Sequence, residues 1–441
     1  MDGRHDLPGR RIAARARPAR RRRLPGRDRP LPAPPQRQEA LSPDHRKTGL
    51  FLVGARGAIA TTVLHGLEAL RAEVAPVGLV TAREEFASVP FLPLAGMRVC
   101  GWDITGDSHR SAAELARVGV LPADLVDLCG ETRDRFELRL APGVGDPRDA
   151  DLMDPPARER LRLPLPEAVE ALREDIRGWM RDEGFHRGVV VHLATAERKG
   201  SLPPGWNDPE ADPFQLVAGA PDDLSRSLLY GLAAVAEGLP FVNFTPAIGP
   251  AAPALAGYAH RRGVPVLGND GKTGETLLKS VLAPMFRDRA LQVMAWEGYN
   301  MLGNRDGAAL ADPDRRAGKV ANKDAVLRRI LPDPNLHTEV RIDFVPSLHD
   351  WKTAWDFIHF QGFLGARMSL QLTWQGSDSA LAAPLVLDLA RIALLAQDRG
   401  EGGPLLPAAP FFKAPLGCDE HDFHRQMELF RRWLAADDSE A

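Results

Sequence analysis

Cysteine is scarce in this chain. Cys100, Cys129 and Cys418 are the three in 441 residues, an odd and scattered set with no Cys-x-x-Cys pair. That excludes a disulfide framework and the paired-thiol zinc and redox motifs, and points to reduced thiols in a cytoplasmic protein. Charge bias is also missing. A formal net charge of −3 argues against a dedicated nucleic-acid binder. No apolar run approaches the ~20 residues that span a bilayer, and the basic N-terminus lacks the apolar core of a signal peptide, so no membrane association is expected. Internal repeats are absent. Cys418, His421 and His424 have ligand-like spacing but no evident fourth partner; beside Asp419, Glu420 and Asp422 they read as a polar surface helix, and no metal site is expected.

What is present is the composition of a globular protein, with 44% hydrophobic and 26% charged residues and length enough for two domains. Residues 1–47 stand apart. They carry Arg20-Arg21-Arg22-Arg23 and Pro32-Ala33-Pro34-Pro35 without periodic apolar positions, which reads as a disordered tail, a basic nucleic-acid arm being the sharper alternative. Order begins at Leu50. Leu50 to Val53 reads as a buried strand, the glycine turn Gly54 to Ala60 follows, and a helix runs to about Leu70; Val77 to Val80 reads as a second strand. This is a βαβ opening whose turn would seat a dinucleotide pyrophosphate on a helix N-terminus. The GxGxxG match is degenerate: Arg56 stands at the second glycine and Ala60 at the third.

Gly101-Trp102-Asp103-Ile104 reads as a turn after a short strand, and residues 142–166 as a long loop. A helix from Pro166 has the stripe Val169, Leu172, Ile176 and Trp179. Val189 to Ala194 reads as a buried parallel strand in which His192 is a core histidine. A loop over 200–223, a helix to Glu237 and a strand from Pro240 to Asn243 continue the alternation to Leu267. The expected fold is therefore α/β: a doubly wound Rossmann-type domain over 48–267. Beyond it, Val340, Ile342 and Phe344, and then Met368, Leu370, Leu372 and Trp374, alternate with polar partners. That predicts a second, α+β domain over 268–379 with an open, mostly antiparallel sheet. The apolar helix Leu381 to Ala396 reads as buried and returns the chain, with 380–441, to the first domain.

The hinge between the two halves is Gly268-Asn269-Asp270-Gly271-Lys272-Thr273-Gly274. It has too few residues between glycines for a P-loop, but a strand-to-helix turn with a lysine suits an anion. Lys272 and Lys279, seven apart, are expected on one helical face. Further polar clusters follow at Tyr299 to Gly307, at Lys319 and Lys323, and at His349-Asp350-Trp351-Lys352. Lysines and aspartates in short segments after strands suggest an anionic substrate.

In their order along the chain these segments resemble the inositol-3-phosphate synthase family. Gly101 to Ile104 matches its Gly-Trp-Asp-Ile, and Ala196-Glu197-Arg198 its Thr-Glu-Arg-like corner. Pro240 to Pro246 is similar to its Pro-Phe-Val-Asn-Gly-Ser-Pro, Gly268 to Gly274 to its Gly-Asp-Asp-x-Lys-Ser-Gly, and Tyr299 to Gly307 to its Tyr-Asn-x-Leu-Gly-Asn-x-Asp-Gly. The resemblance covers about 48–400. It implies an NAD-dependent isomerase that closes glucose 6-phosphate to an inositol phosphate by internal oxidation, enolisation, aldol closure and reduction. It also implies a homotetramer built through the second sheet. Carried over by position, the catalytic residues are Lys272, Lys323, Lys352 and Asp350. NAD is implied at Gly54, Ala55, Arg56, Gly57, Ala58, Asp103, Thr195 and Asp270, the last through a possible cation. Substrate contacts are implied at Asn243, Thr245, Thr273, Gly274, Asn300, Asn304 and Asp306.

There are departures from the family pattern. Leu277 stands where a second lysine is common, Asn269 replaces an aspartate, and the family lysine beyond the C-terminal apolar helix finds only Arg399 or Glu401 nearby. Two other readings stay open: an NAD enzyme acting on another sugar or polyol phosphate, and a non-catalytic binder that kept the scaffold.

Overall fold

The structure, a computed structural model, describes residues 47–198, 202–310, 314–315 and 326–436; the Arg/Pro-rich segment, Lys319 and Lys323 lie outside them. It is an α/β fold. Seven parallel strands form one sheet: β1 (Thr48–Val53), β2 (Met97–Asp103), β3 (Leu140–Pro142), β4 (Arg187–His192), β5 (Phe241–Asn243), β6 (Pro265–Leu267) and β11 (Gly403–Pro404). Their spatial order is β3-β2-β1-β4-β5-β6-β11. The first six follow the doubly wound order 3-2-1-4-5-6. Successive strand residues feed opposite faces. Leu50 and Leu52 pack on one side with helix α1 (Ala58–Arg71), while Phe51 and Val53 pack on the other with α3 (Leu165–Asp182) and α4 (Arg226–Ala236). Each such fully buried side chain contributes roughly 1.5–3 kcal/mol. Helices α2 (Ser108–Arg117) and α5 (Pro253–Arg261) complete the layers.

The second sheet has order β10-β9-β7-β8, from β7 (Gln292–Leu302), β8 (His337–Phe344), β9 (Trp351–Gln361) and β10 (Arg367–Ser377). β9 runs antiparallel to both neighbours, and β7 and β8 are parallel. Helix α6 (Gly274–Asp288) covers its inner face through Ala283 and Phe286 against Trp296 and Ile358. Helix α7 (Asp378–Asp398) then returns to the first sheet, packing on α1. By length and composition α7 is apolar enough to cross a membrane, but 72% of its apolar window is buried, as a core helix requires. Helix α8 (Phe423–Ala435) closes the chain onto the same core through Met427 and Phe430.

Several expectations are corrected. Val77 to Val80 is not a strand. Gly78 takes φ +93°, Val77 is 89% exposed, and Val80 opens a 3-10 turn whose N–H donates to Asp388. The partner of β1 is β2, Met97–Asp103, in register from Thr48↔Met97 to Val53↔Trp102. The two long loops each hold short helices, Pro155–Arg160 and Pro213–Ala218, both opened by proline at the first helical position.

Candidate active site

The register aligns Val53, Trp102 and His192 at the carboxyl ends of β1, β2 and β4. This is the switch point at which doubly wound sheets open a ligand crevice. Gly54 turns the chain there with φ +86°, and a Cβ on it would stand 3.1 Å from the Ala194 backbone, so glycine lets this turn lie against the chain leaving β4. Ala55 donates its N–H to the Trp102 carbonyl, Gly57 caps α1, and Ala58 is its first residue. Asp103 ends β2 and accepts the N–H groups of Arg56 at 2.7 Å and Ile104 at 2.8 Å. Burial pushes its carboxyl up in pKa. Gly54, Asp103, His192 and the exposed Thr195 line one cavity. These residues fit a dinucleotide: a glycine cradle at a helix start and a carboxylate at the end of β2. His192 is buried and held uncharged, its pKa lowered to about 3 by desolvation.

The hinge leads from β6 toward α6, with Thr273 capping α6. Residues 269–272 lie antiparallel to 411–414, with Gly271 opposite Phe412. This brings in a residue the sequence reading missed: Lys413 donates to Asp270 Oδ1 at 2.6 Å, both buried. A lysine ammonium thus stands beside Asp270. Arg399, near which a lysine was expected, lays its guanidinium over Trp433 and donates to that residue's carbonyl. The signal was faint, a lysine in Phe411-Phe412-Lys413-Ala414, 143 residues from its partner.

Thr273 Oγ1 reaches Asp378 Oδ1 at 3.3 Å, and Lys352 Nζ stands 3.9 Å from the same oxygen. Asp378, also missed, is the first residue of α7, at the junction that sequence reading took as a domain border. Lys352 is buried on the inner face of β9, and buried Asn300 lies on the inner face of the adjoining β7. Asp350 Oδ2 accepts from Ser377 Oγ at 2.6 Å and Ser379 Oγ at 2.7 Å. It therefore fixes the β10–α7 junction that carries Asp378, and burial raises its pKa.

Other expected residues do local work. Asn243 accepts from Thr245 Oγ1 at 2.8 Å and donates to the Ala247 carbonyl, shaping the turn after β5. Asn304 Oδ1 caps a short helix through Gly307 N–H at 2.9 Å. Gly274 takes φ +52°, and a Cβ there would stand 3.1 Å from the Trp374 indole. The side chain of Asp306 lies outside those described. Lys272 and Lys279 do not share a helical face, because α6 starts after Lys272. Lys272 turns to Gln426 Oε1 and the Phe423 ring on α8, and desolvation lowers its pKa to about 7. Lys279 is fully buried, 2.5 Å from Glu275 and 3.9 Å from Asp356.

A family profile described as Myo-inositol-1-phosphate synthase matches residues 274–379. Inositol-3-phosphate synthase 1 of Bacteroides thetaiotaomicron is 33% identical over 417 residues, spanning 90% of this chain and 95% of that protein. Inositol-3-phosphate synthase 1 of Oryza sativa subsp. japonica is 30% identical over 337 residues, 72% of this chain and 65% of that protein, just under two thirds of its length. Among solved structures, inositol-3-phosphate synthase from Caenorhabditis elegans superposes with a TM-score of 0.77 at 25% identity, over 89% of this chain and 86% of that one. A myo-inositol-1-phosphate synthase-related protein from Thermotoga maritima shares the fold at a TM-score of 0.69 and 24% identity, over 88% and 98%.

Proposed function

Because the chain belongs to the inositol-3-phosphate synthase family, we propose that it is an isomerase converting D-glucose 6-phosphate to 1D-myo-inositol 3-phosphate, with NAD held at the carboxyl ends of β1, β2 and β4. The observation that carries this reading is the meeting of Lys352 and Thr273 at Asp378, with a second buried ion pair, Asp270–Lys413, in the same turn three residues before Thr273. NAD bound there would supply a hydride acceptor for C5 and the donor for reduction after ring closure. The chain's own residues handle charge and protons. Oxyanions form at O5 and at O1 during the aldol step, and an ammonium group aimed at either is worth on the order of 3 kcal/mol. Lys352 and Lys413 supply such groups in buried surroundings, where water does not screen them. Asp378 orients Lys352, and Asp270 orients Lys413. Lys323, by its position in the sequence, is the further lysine of this set. Thr273 and the α6 N-terminus offer the donors a phosphate needs.

The same reading carries a homotetramer assembled through the second sheet, on whose outer face Trp355, Phe357 and His359 stack at 6.2 Å spacings. It also carries a cytoplasmic setting, since Cys100, Cys129 and Cys418 are free thiols. The test is to incubate the purified chain with NAD and glucose 6-phosphate and follow phosphorus resonances. Inositol phosphate should appear without net NADH, and Lys352→Met should slow it by about 10²–10³-fold. No product from wild type, or an unaffected Lys352→Met, ends the reading.

A further inference from the structure

Arg56 is the residue that broke the glycine pattern of the first turn, and the fold gives it a built environment. Its N–H donates to Asp103 Oδ2 at 2.7 Å, and Ser111 Oγ donates to its carbonyl at 2.7 Å. Its guanidinium is drawn sideways: Nε and Nη2 donate to Glu137 Oε2 at 3.0 and 2.8 Å, and Asp154 Oδ2 stands 4.0 Å from Nη1. Glu137 is itself pinned, its Oε1 accepting the Ser108 N–H at the start of α2 at 2.9 Å. Burial opposes the charge on Arg56, yet the hydrogen bond to Glu137 and the fields of Glu137, Asp103 and Asp154 leave its pKa raised. One guanidinium thus faces two carboxylates while the same residue's N–H holds Asp103, so these four groups carry a net negative charge.

This matters because the end of β2 is where a dinucleotide's adenosine ribose lies in such folds. A carboxylate there accepts from a free 2′-hydroxyl, and an arginine nearby is what normally admits a 2′-phosphate. A 2′-phosphate would bring about −1.5 to −2 charges into a site where the only arginine of this turn is already held. We propose that Glu137 and Asp154 are cofactor-specificity residues: by occupying Arg56 they exclude a 2′-phosphorylated dinucleotide and select one with a free 2′-hydroxyl. This rests on the NAD reading above and assigns the discrimination to residues outside the glycine turn.

The experiment is isothermal titration of NAD and NADP, at one ionic strength, into the full-length wild type and three variants: Glu137→Gln/Asp154→Asn, Asp154→Asn alone, and Glu137→Gln/Asp154→Asn/Arg56→Ala. Wild type should prefer NAD by about a hundredfold or more. The Glu137→Gln/Asp154→Asn variant should bind NADP at least about tenfold more tightly than wild type, and adding Arg56→Ala should remove that gain. Asp154→Asn, at a half-exposed position, should give a smaller gain in the same direction even if loss of Glu137 harms folding. The inference is overturned if the variants bind NADP no better than wild type, or if the gain survives without Arg56. If wild type binds neither dinucleotide, the NAD reading itself falls and this inference with it.

Discussion

Lys272 and Lys413 show how a lysine's neighbours decide its use. Both follow the β6 turn or pair with it, and both are buried. Lys413 has a carboxylate at 2.6 Å; Lys272 has an amide oxygen and an aromatic ring. With no carboxylate paired to it among the described residues, Lys272 bears the desolvation cost of its charge, and its pKa falls from 10.5 to about 7. The sign of the pH effect follows. Between about pH 7 and pH 10.5 the unfolded chain binds more protons than the native one, so stability rises with pH across that window, and below it the cost is fully present. Denaturant titration should therefore find wild type gaining on Lys272→Met as pH is raised from 7 toward 10; parallel curves would refute the assignment. At the other lysine, Lys413→Met leaves the Asp270 carboxylate buried without its ammonium. It should cost about 3–5 kcal/mol by chemical denaturation, with turnover lost as well, whereas Asp270→Asn/Lys413→Met should recover much of the stability and none of the turnover.

At the scale of elements, α6 is locked to the second sheet by charge as well as by its apolar face. Lys279 lies between Glu275, one turn earlier, and Asp356 on β9, which also accepts from the Trp296 indole at 2.8 Å. Gly298 makes the room, since a Cβ there would fall 2.7 Å from Glu275 Oε1 and 3.0 Å from Lys279 Nζ. Gly298→Ala should lower the melting temperature by several degrees, about 1–3 kcal/mol of overpacking, measured by circular dichroism; an unchanged melt would show that the helix shifts at no cost. Elements with a strong period were legible in sequence: the stripe of α3, the apolar run of α7 and the alternation in β8 and β10. Val77 to Val80 departs from the expected strand because three apolar residues around a glycine carry no period of their own, and a φ of +93° at Gly78 is a tertiary choice.

For the whole molecule, the C-terminal segment is packed into the candidate site and the core. Residues 405–435 carry Lys413 to Asp270 and Gln426 to Lys272, and they supply Phe411, Met427 and Phe430 to the core of the parallel sheet. A chain ending at residue 404 should lose turnover and melt at least about 10 °C lower; a truncated protein that melts as wild type would show the segment to be dispensable for the fold.

Sequence alone determined the α/β class, the glycine turn after β1 and the strand-to-helix turn at Gly268 to Gly274, because each is written in neighbouring residues whose spacing fixes backbone geometry; Gly101 to Asp103, expected in a turn, instead end β2. Tertiary structure decided which charged groups meet. Asp378 joins Thr273 across 105 residues and Lys413 joins Asp270 across 143. Asp350 proved to anchor two serines, and Lys272 faced away toward α8. Burial makes such pairings strong, but which charges share a buried space depends on how two sheets and a returning helix pack, and no local pattern along the chain records that.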